Sequence, residues 1–484
     1  MSPIKIDRRS LIKGSPLLLA GAALPSWARA LAGAQNSLPP FYDEIEQRTF
    51  RWFWDTVNRK NGLVPDRWPS PSFSSIASVG FALPAYAIGI ERGWCARAEA
   101  RDLTLTTLRF FWNALQGPQP TGTTGYKGFF YHFLDMESGE RFREVELSSV
   151  DSTILLMGAL FAGQYYDRDH PAEAEIRHLG RALYERADWN FFRSDGRRPI
   201  SMGWHPESAS LIPANWVGYN EGMFVNILAL GSPTHPAPQG LWQQWTMRYP
   251  DFWRGEGPTR RIAFAPLFGH QYSQMFIDFR GIRDAPMRSA GFDYFENSRR
   301  ETYANRSYCI RNPLGWSGYS DKIWGLTACD GPGDFSFPNG NKTRNFHGYA
   351  ARGPIDEPDG LDDGTIAPTA ALGSLPFAPE IVVPAARAMR DWPGLFDQHG
   401  FHDSFNPSFT YAGARLGTGT ISSQTGWVAK DYLGIDQGPI LLQAANHRGD
   451  FVWRYMRKVP AIRRGLLRAG FTGGWLATGS ARRG

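Results

Sequence analysis

The chain has 484 residues, 42% of them hydrophobic and 20% charged, which suits a large buried core and excludes disorder. Removing residues 1–34, with Lys5, Arg8, Arg9, Lys13, Arg29 and Asp7, lowers the formal charge from +6 to +2, so nothing electrostatic points to nucleic acid or an anionic membrane as partner. Cys95, Cys309 and Cys329 are too few for a disulfide scaffold and lack the C-x-x-C spacing of a structural zinc site.

Residues 1–34 read as an export signal. Arg8-Arg9 precede an apolar run from Gly14 to Leu24, and Ala28-Arg29-Ala30 gives an A-x-A cleavage pattern. The paired arginines suggest the twin-arginine route, hence a periplasmic or secreted protein. The apolar run is too short to span a bilayer, so no stable membrane insertion is expected after its removal. Residues 35–484 are expected to form a single domain.

In chain order, a first amphipathic helix is predicted from residue 41 and ends at Asn61-Gly62. A mostly apolar helix follows over 76–93, with Pro84 expected to kink or turn it, then another over 97–116. Residues 124–147 alternate polar and apolar around Ser138-Gly139 and read as a small hairpin or irregular loop. Further helices are predicted near 148–166 and 171–189, from about Glu221, and near 239–249, 267–278, 288–305, 320–328, 366–374, 379–390, 438–455 and 459–467. That makes about twelve helical elements with little strand signal. Helices apolar on most faces must be enclosed by others, so an all-α fold is expected, an α/α barrel whose loops form a cleft at one rim. The competing arrangement is two bundles joined by residues 329–364. The aromatic and carboxylate residues of that stretch suit a site-lining loop better than a spacer.

Several acids sit at helix starts. Ser148 and Asp151 have the spacing of a capping box, which accounts for Asp151 by itself. Glu144 and Glu146 lie at alternate positions of an extended lead-in and are expected to face the same way. Glu221 follows Asn220 at the start of an apolar helix, and Trp204, His205, Glu207, Trp216 and Tyr219 crowd the flanks. A carboxyl among aromatics loses solvation, its pKa rises, and it can serve as a general acid near neutrality. Asp403, between Phe401 and Phe405, is a further candidate. The cluster Asp356, Glu357, Asp359, Asp362 and Asp363 lacks the ligand order of an EF-hand, so no metal is expected. There is no Gly-rich phosphate loop of the usual form, no G-x-S-x-G elbow and no H-E-x-x-H, and no cofactor is expected. Aromatic residues make up 14% of the chain and offer surfaces for stacking on sugar rings.

The segments "LSSVDSTILLMGALFAGQYYD", "GYNEGMFVNILALGSPTHP", "PLFGHQYSQMFIDFRGIRD", "YFENSRRETYANRSYCI", "WGLTACDGP", "DDGTIAPTAALGSLPFAPE" and "GIDQGPILLQAANHR" resemble, in order, the glucoamylase-like domain family assigned to glycoside hydrolase family 144. The resemblance covers roughly residues 41–475. It implies an (α/α)6 barrel with a sugar cleft at one end, endo- or sophorose-releasing hydrolysis of β-1,2-glucan, and inversion at the anomeric carbon. It also implies that Glu221 is essential and that Asp151 and Asp403 lie in the cleft. The physical assignment is Glu221 as general acid and Asp403 as base, with Asp151 positioning a sugar hydroxyl or the water; the reverse order of acid and base stays open. An inverting pair should stand roughly 6.5–9.5 Å apart, or farther with a relay.

Trp204, Trp216, Trp324 and Tyr219 are candidate sugar platforms, and Arg67, Glu146, His205, Glu207 and Gln271 candidate polar contacts. Each also has a packing reading. Gly222, in the first turn after Glu221, is expected to loosen that turn. The expected partner is an oligo- or polysaccharide, a β-linked glucan. Two other functions fit the same residues: hydrolysis or transglycosylation of a different or cyclic glucan, and carbohydrate binding without chemistry.

Overall fold

Burial sorts the helices of this chain into two classes. The computed structural model describes residues 37–193, 196, 198–340 and 342–477, so the export-signal reading of residues 1–34 lies outside the described residues. The frame is built, in chain order, from α1 (Pro40–Thr56), α2 (Ile76–Glu91), α3 (Arg97–Asn113), α4 (Ser149–Tyr165), α5 (Pro171–Glu185), α6 (Met223–Gly231), α7 (Phe268–Phe276), α8 (Tyr294–Arg311), α9 (Pro368–Leu372), α10 (Pro379–Arg390), α11 (Gly434–Gly449) and α12 (Pro460–Arg468).

The first class has no polar face to give to water. α2 is buried from Ile76 through Gly89, and every residue of α6 and α9 is buried. With α4, α7 and α11 they form an inner ring. α2 packs on α4, α9 on α11, and α11 closes back on α2. Between α6 and α7 the Ser273 hydroxyl donates to the Glu221 carbonyl at 3.1 Å and accepts the Phe224 N–H at 3.2 Å. Gln271 Nε2 joins α7 to α9 by donating to the Ala370 carbonyl and Ser374 Oγ, both at 2.8 Å. The second class is amphipathic: α5 buries Ile176, Leu179, Gly180 and Leu183 and turns charged residues outward. These outer helices, with α12 covering α6, complete a predominantly helical α/α toroid. Leu38–Gly484 gathers into one compact unit.

Glycine sets the tightest crossing. A methyl group on Gly158 of α4 would lie 2.2 Å from the Gly80 carbonyl oxygen of α2, and one on Gly80 would lie 2.5 Å from the Ile154 carbonyl oxygen. Only bare backbone allows that approach. Pro84 lies inside α2, which continues to Glu91 rather than turning there.

Small sheets line the loops, most strands being two or three residues long. One antiparallel meander joins Gly125–Tyr126, Phe129–Tyr131, Leu147–Ser148, Gly203–His205 and Ser210–Leu211, and its third strand leads directly into α4. Such short pairings leave no period-two pattern for sequence to register. Other expectations need correction. Residues 320–328 are not helical, because the Asn305 side chain accepts the Leu326 N–H at 3.1 Å and donates to its carbonyl at 3.2 Å, and Gly325 has φ 133°. The helix expected over 288–305 is two, Ala285–Ala290 and α8, divided where Gly291 caps the first at φ 83°. The helix expected over 438–455 starts at Gly434 and breaks at Asp450, φ 55°, before Phe451–Met456. The helix expected near 239–249 shortens to Leu241–Thr246.

Candidate active site

The N-terminal ends of several inner helices meet at one rim. Thr369 of α9 donates to the Asp436 carbonyl in the first turn of α11 at 3.1 Å, and Tyr272 of α7 donates to the Ile435 carbonyl at 3.1 Å. The first N–H of α2, at Ile76, reaches the His132 carbonyl at 3.3 Å. Acids therefore arrive together from distant parts of the chain. Asp151 is the third residue of α4, Asp436 the third of α11, and Glu221 stands two residues before α6.

At α4, Ser148 caps the helix by accepting the Asp151 N–H at 3.2 Å, and its hydroxyl donates to Asp151 Oδ2 at 2.5 Å. His132 links this helix start to the lead-in strand. Its Nδ1 lies 2.8 Å from Glu146 Oε1 and its Nε2 3.6 Å from Asp151 Oδ2. Burial alone would lower the imidazole pKa, but Asp151 and Glu146 outweigh it and raise the value to about 9. A helix N-terminus favours ionised acids, yet burial is the larger effect on Asp151 and raises its pKa, with His132 and Ser148 opposing. Glu144 does not share this site. Arg143 adopts φ 52°, which breaks the alternation, and Glu144 is exposed.

Glu221 is partly exposed at the rim, with its carboxyl turned inward. Burial raises its pKa to about 7, helped by the negative charge of Asp151. Its Oε2 is buried and has no donor among the described residues. Gly222 is the N-cap of α6 rather than part of its first turn, and a methyl group there would sit 2.5 Å from the Trp216 ring.

The opposite side of the rim is a chain of carboxyls joined by Arg67. Its Nε is 3.1 Å from Asp66 Oδ2 and its Nη1 2.7 Å from Asp330 Oδ2. The Asp330 N–H donates to Asp403 Oδ2 at 2.7 Å, and the Asp403 N–H to the Asp431 carbonyl at 3.0 Å. Burial pushes the Asp403 carboxyl above the usual carboxylate range, and the charge of Asp330 adds to it. The two sides act on one another. Burial raises the pKa of Asp66 and the charge of His132 opposes it; burial raises that of Tyr272, and the charges of Asp436, Glu221 and Asp151 add to it.

Of the candidate contacts, Arg67 and Glu146 stand in this network. His205 is half-exposed with its Nδ1 3.9 Å from Glu207 Oε2, and Glu207 is held by Arg141 at 2.5 Å. The remaining five are corrected. Trp204, Trp216, Tyr219, Gln271 and Trp324 are 5, 4, 1, 1 and 0% exposed, so they offer no open face to a sugar. Trp204 packs on Tyr126 and Phe191, Trp216 donates to Ser149 Oγ at 2.8 Å, Tyr219 lies among His270, Tyr294 and Tyr249, and Trp324 is in the core. The exposed rings here are Trp68, 45% exposed and next to Arg67, and Tyr349, 56% exposed. Burial of the Tyr349 hydroxyl and the charges of Asp436 and Asp403 raise its pKa. Sequence pattern gave no signal for His132, Asp66, Asp330, Asp436 or these two rings.

Ligand atoms of His132, Glu146 and Asp151 lie within 4.8 Å of one another, near enough for a metal ion. In this structure both imidazole nitrogens face the two acids, and the three groups pair with one another. The acidic cluster at 356–363 is dispersed among protein partners. Asp356 pairs with Arg311 and Glu357 with Arg261; Asp362 accepts from Tyr308 and Tyr319, and Asp363 from Arg352.

Known proteins share this fold. The Glycoamylase family, described as "Putative glucoamylase", matches residues 213–460, half of the chain. This chain belongs to that family. A Bacteroides uniformis protein of the same description is 31% identical, covers 90% of this chain and 98% of its own, and superposes with a TM-score of 0.75. An endo-β-1,2-glucanase from Chitinophaga pinensis, solved with sophorotriose and glucose, is 25% identical, covers 90% and 98%, and gives a TM-score of 0.74. An exo-β-1,2-glucooligosaccharide sophorohydrolase from Parabacteroides distasonis is 25% identical over 88% of the chain. The chain spans 57% of the length of that curated relative. Membership in the Glycoamylase family accounts for the toroid. Among the described residues, no helix is long and apolar enough to cross a membrane.

Proposed function

We propose that this chain is an exported glycoside hydrolase that cleaves β-1,2-linked glucan with inversion. Glu221 is the general acid. Its carboxyl, kept protonated to about pH 7 by burial, gives its proton to the glycosidic oxygen as the bond to the anomeric carbon breaks. Water attacks that carbon from the other face and loses a proton to Asp403. Asp151, tied to His132 and Ser148, orients a sugar hydroxyl beside Glu221. Trp68 and Tyr349 supply the open ring faces. The paired arginines near the N-terminus support export to the periplasm or beyond.

The observation that carries this reading is that Glu221 keeps a buried oxygen without a donor among the described residues. In a protein interior an unpaired carboxyl oxygen is destabilising, so its persistence suits a group whose partner is substrate or water. The choice of linkage rests on relatives that act on β-1,2-glucan.

The test is a panel of β-1,2-, β-1,3-, β-1,4- and α-linked glucans, with products separated by size. Short sophoro-oligosaccharides should form from linear β-1,2-glucan alone, and Glu221→Gln and Asp403→Asn should each lower kcat by about 10²–10⁴-fold. Equal turnover of another linkage, or re-ligated longer chains, would redirect the reading to another glucan or to transfer. Binding without turnover would leave a carbohydrate-binding protein.

A further inference from the structure

Asp403 is one half of a pair. Its Oδ2 accepts the Asp330 N–H, while its Oδ1 is buried and receives no donor from the rest of the described protein. Asp436, 4% exposed, is in the same condition: its Oδ2 is buried and also lacks a donor. The two carboxyls lie within hydrogen-bonding reach of one another. Two ionised carboxylates cannot share such a contact, because both would be acceptors; one must keep its proton.

The surroundings decide which. Asp403 has the Asp330 N–H and the positive charge of Arg67 in its favour as an anion. Asp436 faces the charges of Asp403, Asp330 and Asp66. The other groups around it, the phenols of Tyr272 and Tyr349 and the thiol of Cys329, are all held protonated. Among the described residues it has no ion pair, and burial disfavours its anion most of all. The positive end of α11 is the one feature acting the other way.

We propose that Asp436 is a positioning residue that keeps its proton through the reaction and donates it to Asp403, fixing that carboxylate in orientation and holding it ionised. The inference rests on the reading of Asp403 as the base. A carboxylate has about four lone-pair sites; with the Asp330 N–H, the Ser404 hydroxyl at 3.4 Å and Asp436 each filling one, one remains to receive the proton of the attacking water. Asp436 therefore neither gains nor loses a proton over a turnover.

The test compares Asp436→Asn, Asp436→Ala and Asp403→Asn in kcat/KM against pH on β-1,2-glucan, with each variant's fold checked by thermal unfolding. An asparagine amide still donates, so Asp436→Asn should keep activity within about tenfold and leave the acid limb where it was. Alanine removes the donor, so the acid limb should move up by about one pH unit and kcat at pH 6 should fall about tenfold, with KM little changed. If Asp436→Asn is as inactive as Asp403→Asn, Asp436 exchanges protons itself and the inference is overturned. An unmoved acid limb in folded Asp436→Ala overturns it as well. Should Asp403→Asn stay active, the assignment of the base fails first, and Asp436 loses its role with it. The near-isosteric asparagine variant keeps the test decisive where alanine fails to fold.

Discussion

Glu221 weakens the fold that holds it. Its folded-state pKa, about 7, lies above the ordinary 4.5, so the folded protein binds the proton more tightly than the unfolded chain does. Stability from this group is then greatest below pH 4.5 and is lost as pH rises through about 7, a change of about 3 kcal/mol. Glu221→Gln, which never ionises, should raise stability by about that amount at pH 8 and change it little at pH 4. Urea unfolding at both pH values checks this, and an equal gain at each would contradict it. Activity should fall on the alkaline side as Glu221 loses its proton near pH 7. At this scale the sequence was legible where partners are close: Ser148 and Asp151 lie three residues apart. It was silent on Asp436, Asp330 and His132, whose roles come from contacts such as Arg67 with Asp330, separated by 263 positions. The aromatics around Glu221 signalled a dry site, but Trp216 and Tyr219 turn their rings inward.

Among elements, the α2–α4 crossing and the loop over 347–352 do most to hold the rim. Gly158→Ala would drive a methyl group into the Gly80 carbonyl, so the two helices must separate. Overpacking of this kind costs about 1–3 kcal/mol, read as a lower urea midpoint at unchanged slope; an unchanged midpoint would mean the crossing yields freely. The loop hangs on Arg352, which is fully buried. Arg352 pairs with Asp363 at 2.7 and 2.8 Å and donates to the carbonyls of Cys329, His347 and Gly348 at 2.6, 3.1 and 3.0 Å. Those bonds brace the strand before Asp330 and the turn bearing Tyr349. Arg352→Met leaves Asp363 buried without its cation and should cost about 3–5 kcal/mol, with activity lost in parallel. The apolar inner helices were legible because a helix without a polar face has one place to go. The two-residue strands, and the unwound stretch held by Asn305, were not, since side chains far along the chain replace the local backbone pairing.

Over the whole molecule, inner-helix starts and the loops before them bring Asp66, Asp151, Glu221, Asp330, Asp403 and Asp436 to one rim, although they are spread from residue 66 to residue 436. Closing the helices into a ring makes this possible: successive inner helices run in the same sense, and their N-termini share an end. The acids then raise one another's pKa through burial and mutual charge, which a solvated surface would screen. On the proposed reading, Glu221 and Asp436 are the carboxyls still protonated near neutrality and Asp403 is the one that takes a proton from water. The most direct measurement of that division of labour is the anomeric proton NMR spectrum during the first minutes of β-1,2-glucan hydrolysis. The account predicts that the α-anomer appears first and relaxes to the equilibrium mixture, whereas initial accumulation of the β-anomer would contradict it.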